Sequence, residues 1–297
     1  MAPSVLIIGA SGALGVPLIA EFQKQKSRFG RIAILSDPAK AHKFAGVQKD
    51  GIEVVQGSFL DFKCYQGFDV VISLAGNAVM RLQPAMIEAA IAGGVRHFYP
   101  SEFGTDINLD GVWNFRYFRD KVVTRDHLVA AAKAHPGFRY TLMLVGAFSE
   151  WVCGEFSGVN IEKHTVRSYG HPDAGMSVTS LDDVVRYTVE SILLPFPEGR
   201  SLREIRTRGD HLTFQQVIGV LEEVQGEKYD VQYLDPKEAA QKQEEARKRG
   251  DEFEEILWAA KSFLPSGKVQ VPLPLDNDKF GFKPETLKQT LTRLYGK

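Results

Sequence analysis

Cysteine is scarce in this chain: Cys64 and Cys153 are the only two in 297 residues, far apart and in unrelated settings. Such usage excludes a disulfide framework and points to a reducing compartment, with both thiols packing as small hydrophobes. The seven histidines lack metal-ligand spacing. His164 and His171 come nearest to a pair, and no metal is expected. Long apolar runs are also missing. The N-terminal one stops at Gly9 and has no basic segment before it, so neither a signal peptide nor a membrane span is expected, and the cytoplasm is the expected location. Charge of one sign is not in excess either, with 36 Lys and Arg against 37 Asp and Glu and a net charge of -1. Without a basic block or a polybasic amphipathic helix, nucleic acid and membrane surfaces are not expected partners, and a small molecule is. Oligomeric state is left open.

What the chain does have is material for a core, 44% hydrophobic residues, and a length that predicts one large α/β domain with a companion. Its start carries the strongest signal. Ser4-Val5-Leu6-Ile7-Ile8 is an apolar run of strand length; it breaks into Gly9-Ala10-Ser11-Gly12-Ala13-Leu14-Gly15 and resumes with helical spacing through Val16-Pro17-Leu18-Ile19-Ala20-Glu21-Phe22. Strand, glycine-spaced turn and helix predict a dinucleotide site. Gly9 permits the tight turn, Gly12 leaves the backbone open to a pyrophosphate, and Gly15 lets the helix pack on the strand. Ser11 and Leu14 sit in the same turn, where unpaired N–H groups and the positive helix end favour phosphate.

Further strands are predicted at Arg31 to Leu35, Ile52 to Gln56, Asp69 to Gly76 and Val95 to Pro100, with helices at Ala39 to Ala45 and Gln83 to Ala92. The alternation predicts an α/β fold, a Rossmann-type doubly wound parallel sheet, with ligands at the carboxyl ends of the strands. At the end of the second strand the residues point two ways. Asp37 could accept hydrogen bonds from a free ribose 2′-OH and so favour NAD, whereas Lys40 and Lys43 could neutralise the 2′-phosphate of NADP. At the end of the fourth, Ala75 and Gly76 are small enough for a cofactor to lie across them. A sixth strand is predicted at Tyr140 to Val145, and a capped helix from Val178 onward, with Ser180 or Asp182 as cap. Beyond Pro195 the pattern turns helical, at Thr213 to Gln225, Pro236 to Arg249 and Glu252 to Phe263. The expected division is residues 1–155 for the nucleotide, with a return segment near 176–192, and 156–297 for a smaller, largely helical substrate part. Trp151, Phe156, Trp258 and Phe263 are candidates for an apolar substrate pocket, with core packing as the competing account.

The end of the fifth strand reads Tyr99-Pro100-Ser101-Glu102-Phe103-Gly104-Thr105-Asp106. Together with the glycine turn and the later Tyr117-Phe118-Arg119-Asp120-Lys121, this string resembles the isoflavone reductase group of atypical short-chain dehydrogenases, which includes the phenylcoumaran benzylic ether reductases and borders on the NmrA-like proteins. The likeness covers about the first two hundred residues well and the rest loosely. It implies that Gly9, Gly12 and Gly15 hold the pyrophosphate, that Lys40 holds the 2′-phosphate of NADP, and that Lys121, flanked by Phe118 and Arg125 in the group's pattern, is the catalytic lysine. Phe148 resembles the segment lining the nicotinamide, beside Ser101, Glu102 and Phe103. Asp37 departs from the pattern, since relatives carry an arginine near this position; NADP is therefore the expected cofactor, with NAD possible.

Tyr117 lies four residues before Lys121, a spacing that on a helix puts both side chains on one face. In ordinary short-chain dehydrogenases such a pair works with a serine, and Ser101 stands in the corresponding place. A tyrosine of ordinary pKa about 10 needs an adjacent ammonium to serve near neutrality. The competing account of Tyr117 is plain aromatic packing. The function implied is NADPH-dependent reduction of a small aromatic or phenolic molecule at a carbonyl, conjugated or benzylic position; the alternative is an NmrA-like regulator that binds the dinucleotide without turnover.

Overall fold

The computed structural model describes residues 2–109, 111–113 and 115–296, and of Tyr117 the backbone alone. In chain order the first elements are β1 (Val5–Ile8), α1 (Gly15–Lys24), β2 (Ile32–Ser36), β3 (Glu53–Gln56), β4 (Val70–Ser73), α2 (Asn77–Met80), α3 (Gln83–Ala92), β5 (His97–Tyr99), α4 (Arg119–Ala134) and β6 (Arg139–Leu144). There follow β7 (Ala147–Phe148), β8 (Val159–Asn160), β9 (Thr165–Ser168), β10 (Gly175–Thr179), α5 (Leu181–Leu193), β11 (Leu202–Arg206), β12 (Asp210–Thr213), α6 (Phe214–Gln225), β13 (Asp230–Tyr233), α7 (Pro236–Arg249), α8 (Glu252–Phe263) and α9 (Leu287–Tyr295).

The chain forms two units. The first comprises Met1–Glu102, Asp120–Met143 and Val185–Ile205. Its sheet has the order β11-β6-β5-β4-β1-β2-β3, and the pairs from β6 through β3 are parallel. Every residue of β1, β2, β4 and β5 is buried, as strands covered on both faces require. β3 is half exposed, as an edge strand. The order runs one way from β1 to β2 and β3 and the other way from β1 to β4, β5 and β6. The predicted doubly wound Rossmann-type sheet is thus present, and its switch point lies between β1 and β4, where such folds open a ligand crevice.

A buried polar knot fastens the far side of this sheet. Arg203 of β11 donates to the Tyr99 hydroxyl (2.8 Å), the Ser191 carbonyl (2.8 Å), the Leu194 carbonyl (3.2 Å) and Thr141 Oγ1 (3.2 Å). Burial and the nearby guanidinium groups of Arg203 and Arg139 hold His97 well below the usual imidazole range, so it stays neutral and shares a 2.8 Å hydrogen bond with Thr141 Oγ1.

The second unit comprises Phe103–Arg119, Leu144–Val184 and Arg206–Lys297. It holds two three-stranded sheets, β12-β10-β7 and β13-β9-β8, with α6 to α9. Thr213 caps α6 through the Gln216 amide, and Asp235 and Asp251 cap α7 and α8. Ser180 caps α5: its hydroxyl accepts from the Asp183 amide (3.1 Å) and donates to the Asp183 carboxylate (2.8 Å). The dense charge of α7 faces solvent, and only Ala239 and Ala246 are buried on that helix. Cys153 is buried, which pushes its thiol up to about 12, out of reactive range, and no disulfide forms. Among the described residues no helix is long and apolar enough to cross a membrane.

Replacing Arg203 with Met removes the buried donor shared by the Tyr99 hydroxyl, Thr141 Oγ1 and the Ser191 carbonyl, and the donor to the half-buried Leu194 carbonyl. The expected loss is about 2–4 kcal/mol of stability, read as a lowered urea midpoint with an unchanged slope.

Candidate active site

The glycine turn opens at the switch point. Gly9 has φ +82, and a Cβ there would stand 2.5 Å from the carbonyl oxygen of Leu74. A Cβ on Gly15 would meet the Ala10 carbonyl at 2.4 Å. Both positions are glycine because the fold leaves no room. Gly12 and Gly76 differ: a Cβ on Gly12 would meet nothing closer than 3.4 Å, and one on Gly76 nothing within 4 Å. The space these two leave open belongs to no part of the protein.

Around Gly12 the Gly12 amide bonds back to Gly9 and the Gly15 and Val16 amides to Gly12, while the amides of Ser11, Ala13 and Leu14 find no acceptor among the described residues. Ser11, Gly12 and Ala13 are exposed and Leu14 half-buried. Outward amides, a helix N-terminus and a cradle that a Cβ would fill fit the pyrophosphate of a dinucleotide.

At the end of β2, Asp37 accepts from the Ala39 amide (2.8 Å) and caps a 3-10 helix, Pro38–Phe44, in place of the helix expected from Ala39. Asp37, Lys40 and Lys43 are all exposed. At the end of β4, Ala75 is buried and Gly76 exposed.

The end of β5 is held more tightly. The Ser101 amide donates to Gln83 Oε1 (2.8 Å), and the Ser101 hydroxyl donates to the Ala75 carbonyl (2.8 Å). That proton is committed, so toward another group the serine offers lone pairs. Gln83 is fully buried, and its amide nitrogen lies 3.4 Å from Thr124 Oγ1 on α4. Glu102, 2% exposed, receives a two-pronged ion pair from Arg125, with Nε to Oε1 at 3.0 Å and Nη2 to Oε2 at 2.8 Å. Lys121, 5% exposed, donates to the main-chain carbonyl of the same Glu102. Burial is the main cause that brings its ammonium down to about 8; Glu102 opposes the shift and Arg125 adds to it. The structure thus brings Ser101, Glu102, Ala75 and Lys121 together within the first unit.

Tyr117 is placed differently from its expected helix. Its backbone lies in a 3-10 turn, Arg116–Phe118, and α4 begins only at Arg119. The 3.6-residue period therefore does not connect Tyr117 with Lys121, and the tyrosine side chain falls outside the described residues.

The remaining candidates lie in the second unit. Phe103 has φ +30, a left-handed backbone rarely adopted outside glycine and concentrated at functional sites. Phe148 meets the ring of Trp151 edge-on, with centroids 4.8 Å apart. Trp258 meets the Tyr169 ring edge-on and lies under the ammonium groups of Lys242 and Lys261. Phe156 is exposed, and Phe263 is buried between Phe115 and Phe118, with both centroid distances 4.9 Å. Core packing accounts for Phe263. Two participants had no signal in the sequence: Gln83 marks only the start of a helix there, and nothing in the residue order says that Glu102 and Arg125 meet.

Residues 1–266 match the NmrA-like family. The chain belongs to that family. An NmrA-like family domain-containing oxidoreductase of Gibberella moniliformis is 24% identical over 244 residues, 76% of this chain and 78% of the relative. An isoflavone reductase homolog of Zea mays is 27% identical over 259 residues, 80% of this chain and 79% of the relative. Among solved structures, AtPrR2 with NADP+ and (+)pinoresinol shares the fold with a TM-score of 0.79 over 99% of both chains, at 18% identity.

The two kinds of glycine separate in mutants of this NmrA-like protein. Gly9→Ala is expected to cost about 1–3 kcal/mol in thermal or urea unfolding. Gly12→Ala is expected to leave stability within about 0.5 kcal/mol and to weaken dinucleotide binding, followed by fluorescence titration, by about tenfold or more.

Proposed function

We propose that the protein is an NADPH-dependent oxidoreductase that reduces a small aromatic or phenolic molecule at a carbonyl, conjugated or benzylic carbon. The observation that carries this reading is Lys121: an ammonium buried at the carboxyl end of β5, in the same unit as the open glycine cradle, with its proton affinity brought down to about 8. A regulator that only binds the dinucleotide has no use for such a group. Oxidoreductases among the relatives, and solved neighbours in complex with NADP+ and NADPH, support the same reading.

When bound, the reduced nicotinamide supplies the hydride. Ser11, Gly12, Leu14 and Gly15 would hold its pyrophosphate on the start of α1, Lys40 would answer the 2′-phosphate, and Ala75 and Gly76 would leave room along the strand end. The Glu102 carbonyl orients the Lys121 Nζ. From there Lys121 donates a proton to the substrate oxygen as negative charge develops on it, and burial both excludes water and makes the ammonium a readier acid. The Gln83 and Ala75 contacts of Ser101 keep the strand end in one place, which is the protein's contribution of orientation.

NADPH oxidation measured on a panel of aromatic aldehydes, ketones and enones, beside a binding titration, tests the proposal; tight binding with no oxidation on any of them overturns it. Lys121→Ala should keep cofactor affinity and lower kcat by about 10²–10⁴-fold. The sign of the pH dependence follows from the shift. The ammonium is the acid, so kcat should hold steady below pH 8 and fall as pH rises through about 8, because the lysine then loses the proton it must give. Tyr117→Phe separates two schemes: retained activity supports proton transfer by the lysine alone, and lost activity supports a tyrosine-dependent carbonyl reaction.

A further inference from the structure

Lys121 and Arg125 stand one turn apart on α4, so their side chains leave the same face, and both reach Glu102. They divide that residue between them. Arg125 takes both carboxylate oxygens, at 3.0 and 2.8 Å, and Lys121 takes the main-chain carbonyl. All three side chains are buried. The arrangement is unusual for its charges. A buried ammonium beside a buried carboxylate ordinarily gains most by pairing with it directly, and an ammonium so paired holds its proton firmly. Here the carboxylate is already filled by a planar fork that suits it better than a point charge does. Lys121 is left with a neutral acceptor, near one negative and one positive group that oppose each other.

The peptide that presents this acceptor is fixed from its other side as well. Gln83 holds the Ser101 amide, the Ser101 hydroxyl holds the Ala75 carbonyl, and the Glu102 amide closes a tight turn onto the Pro100 carbonyl (2.8 Å). Glu102 is therefore pinned through its main chain by α3 and the end of β4, and through its side chain by α4.

We propose that Arg125 is a positioning residue for the reaction: by occupying the Glu102 carboxylate with both prongs of its guanidinium, it keeps that carboxylate from Lys121, so that the ammonium rests on the main-chain carbonyl and stays ready to release its proton. The proposal rests on the reading of Lys121 as the proton donor. Glu102, from the end of β5, and Arg125, from its own helix, are charged groups that act on Lys121.

The pairing makes opposite demands on two variants. In Arg125→Gln the carboxylate is released to Lys121, which should then bind its proton more tightly. In Glu102→Gln the negative charge of Glu102 is lost while the guanidinium of Arg125 stays positive, so the ammonium should bind its proton less tightly. In the double variant both charges are gone, and the lysine should return close to its original behaviour. The measurement is the pH titration of the lysine side-chain carbons by NMR in intact protein labelled with 13C-lysine, with Lys121 assigned by its loss in Lys121→Gln. No substrate or cofactor is needed. The expected result is a midpoint about 1–3 pH units higher in Arg125→Gln, lower by about one unit in Glu102→Gln, and near the wild type in the double variant. Shifts in the same direction in both single variants, or no shift in either, overturn the proposal, since a purely structural ion pair would change stability without moving the midpoint in opposite senses. Should Arg125→Gln fail to fold, Arg125→Lys keeps the charge without the fork: the carboxylate is then no longer filled from two sides, so the Lys121 midpoint should rise by about half a unit or more there and still fall in Glu102→Gln, and an unmoved midpoint in Arg125→Lys or a rise in Glu102→Gln overturns the proposal. Expected titrations in a protein that oxidises no NADPH would leave the clamp standing and remove the reductase reading; the reverse outcome would do the opposite.

Discussion

Three charged side chains buried at the end of one strand set the terms for the first unit. Taking Glu102, Arg125 and Lys121 out of water costs several kcal/mol for each ion, and only a closely fitted set of partners offsets that. The fit requires α4 to present the 121 and 125 face to the end of β5, and it requires the backbone at Ser101 and Glu102 to hold still. Gln83 and the Ala75 carbonyl provide that rigidity. The ion pair therefore does more than add stability. A hydrophobic replacement could hold α4 against the sheet equally well, but it would neither orient the Glu102 carbonyl nor leave an ammonium with a weakened hold on its proton. Burial is the main reason that the Lys121 ammonium holds its proton less firmly than an exposed one.

A second constraint operates at the opposite end of the reading frame, in the glycine turn. Two glycines there answer to the protein's own packing, where the β1 turn passes under the Leu74 carbonyl and where α1 presses on Ala10. Two others answer to nothing within the protein. The chain belongs to the NmrA-like family and shares its fold with solved structures over nearly its whole length.

The sequence was most legible where local chemistry has sharp edges. The helices Gln83–Ala92, Pro236–Arg249 and Glu252–Phe263 were read to their ends, because Pro84, Asp235, Pro236, Gly250 and Asp251 punctuate them. The buried parallel strands were equally readable as apolar runs. The two-residue strands Ala147–Phe148 and Val159–Asn160 were not, since two residues cannot display a period, and the sheets they join bring together segments far apart in the chain. The backbone of Tyr117 lies outside the helix expected for it. A four-residue spacing has a facing relationship only inside a continuous α-helix, and a 3-10 turn ends just before α4 begins.

By itself the amino-acid order determined the alternating strands and helices, the doubly wound sheet they must form and the place of the glycine turn at its switch point. Each of these follows from interactions between near neighbours in the chain, which period and punctuation record. Only the tertiary structure decided that Arg125 would claim the Glu102 carboxylate, that Gln83 would hold the Ser101 amide, and that Lys121 would lie dry against a carbonyl. Those contacts join residues 18 to 23 positions apart, across strand and helix. Their energies depend on burial and on which partner fits an oxygen best once the chain is folded, and neither quantity is written in residue order.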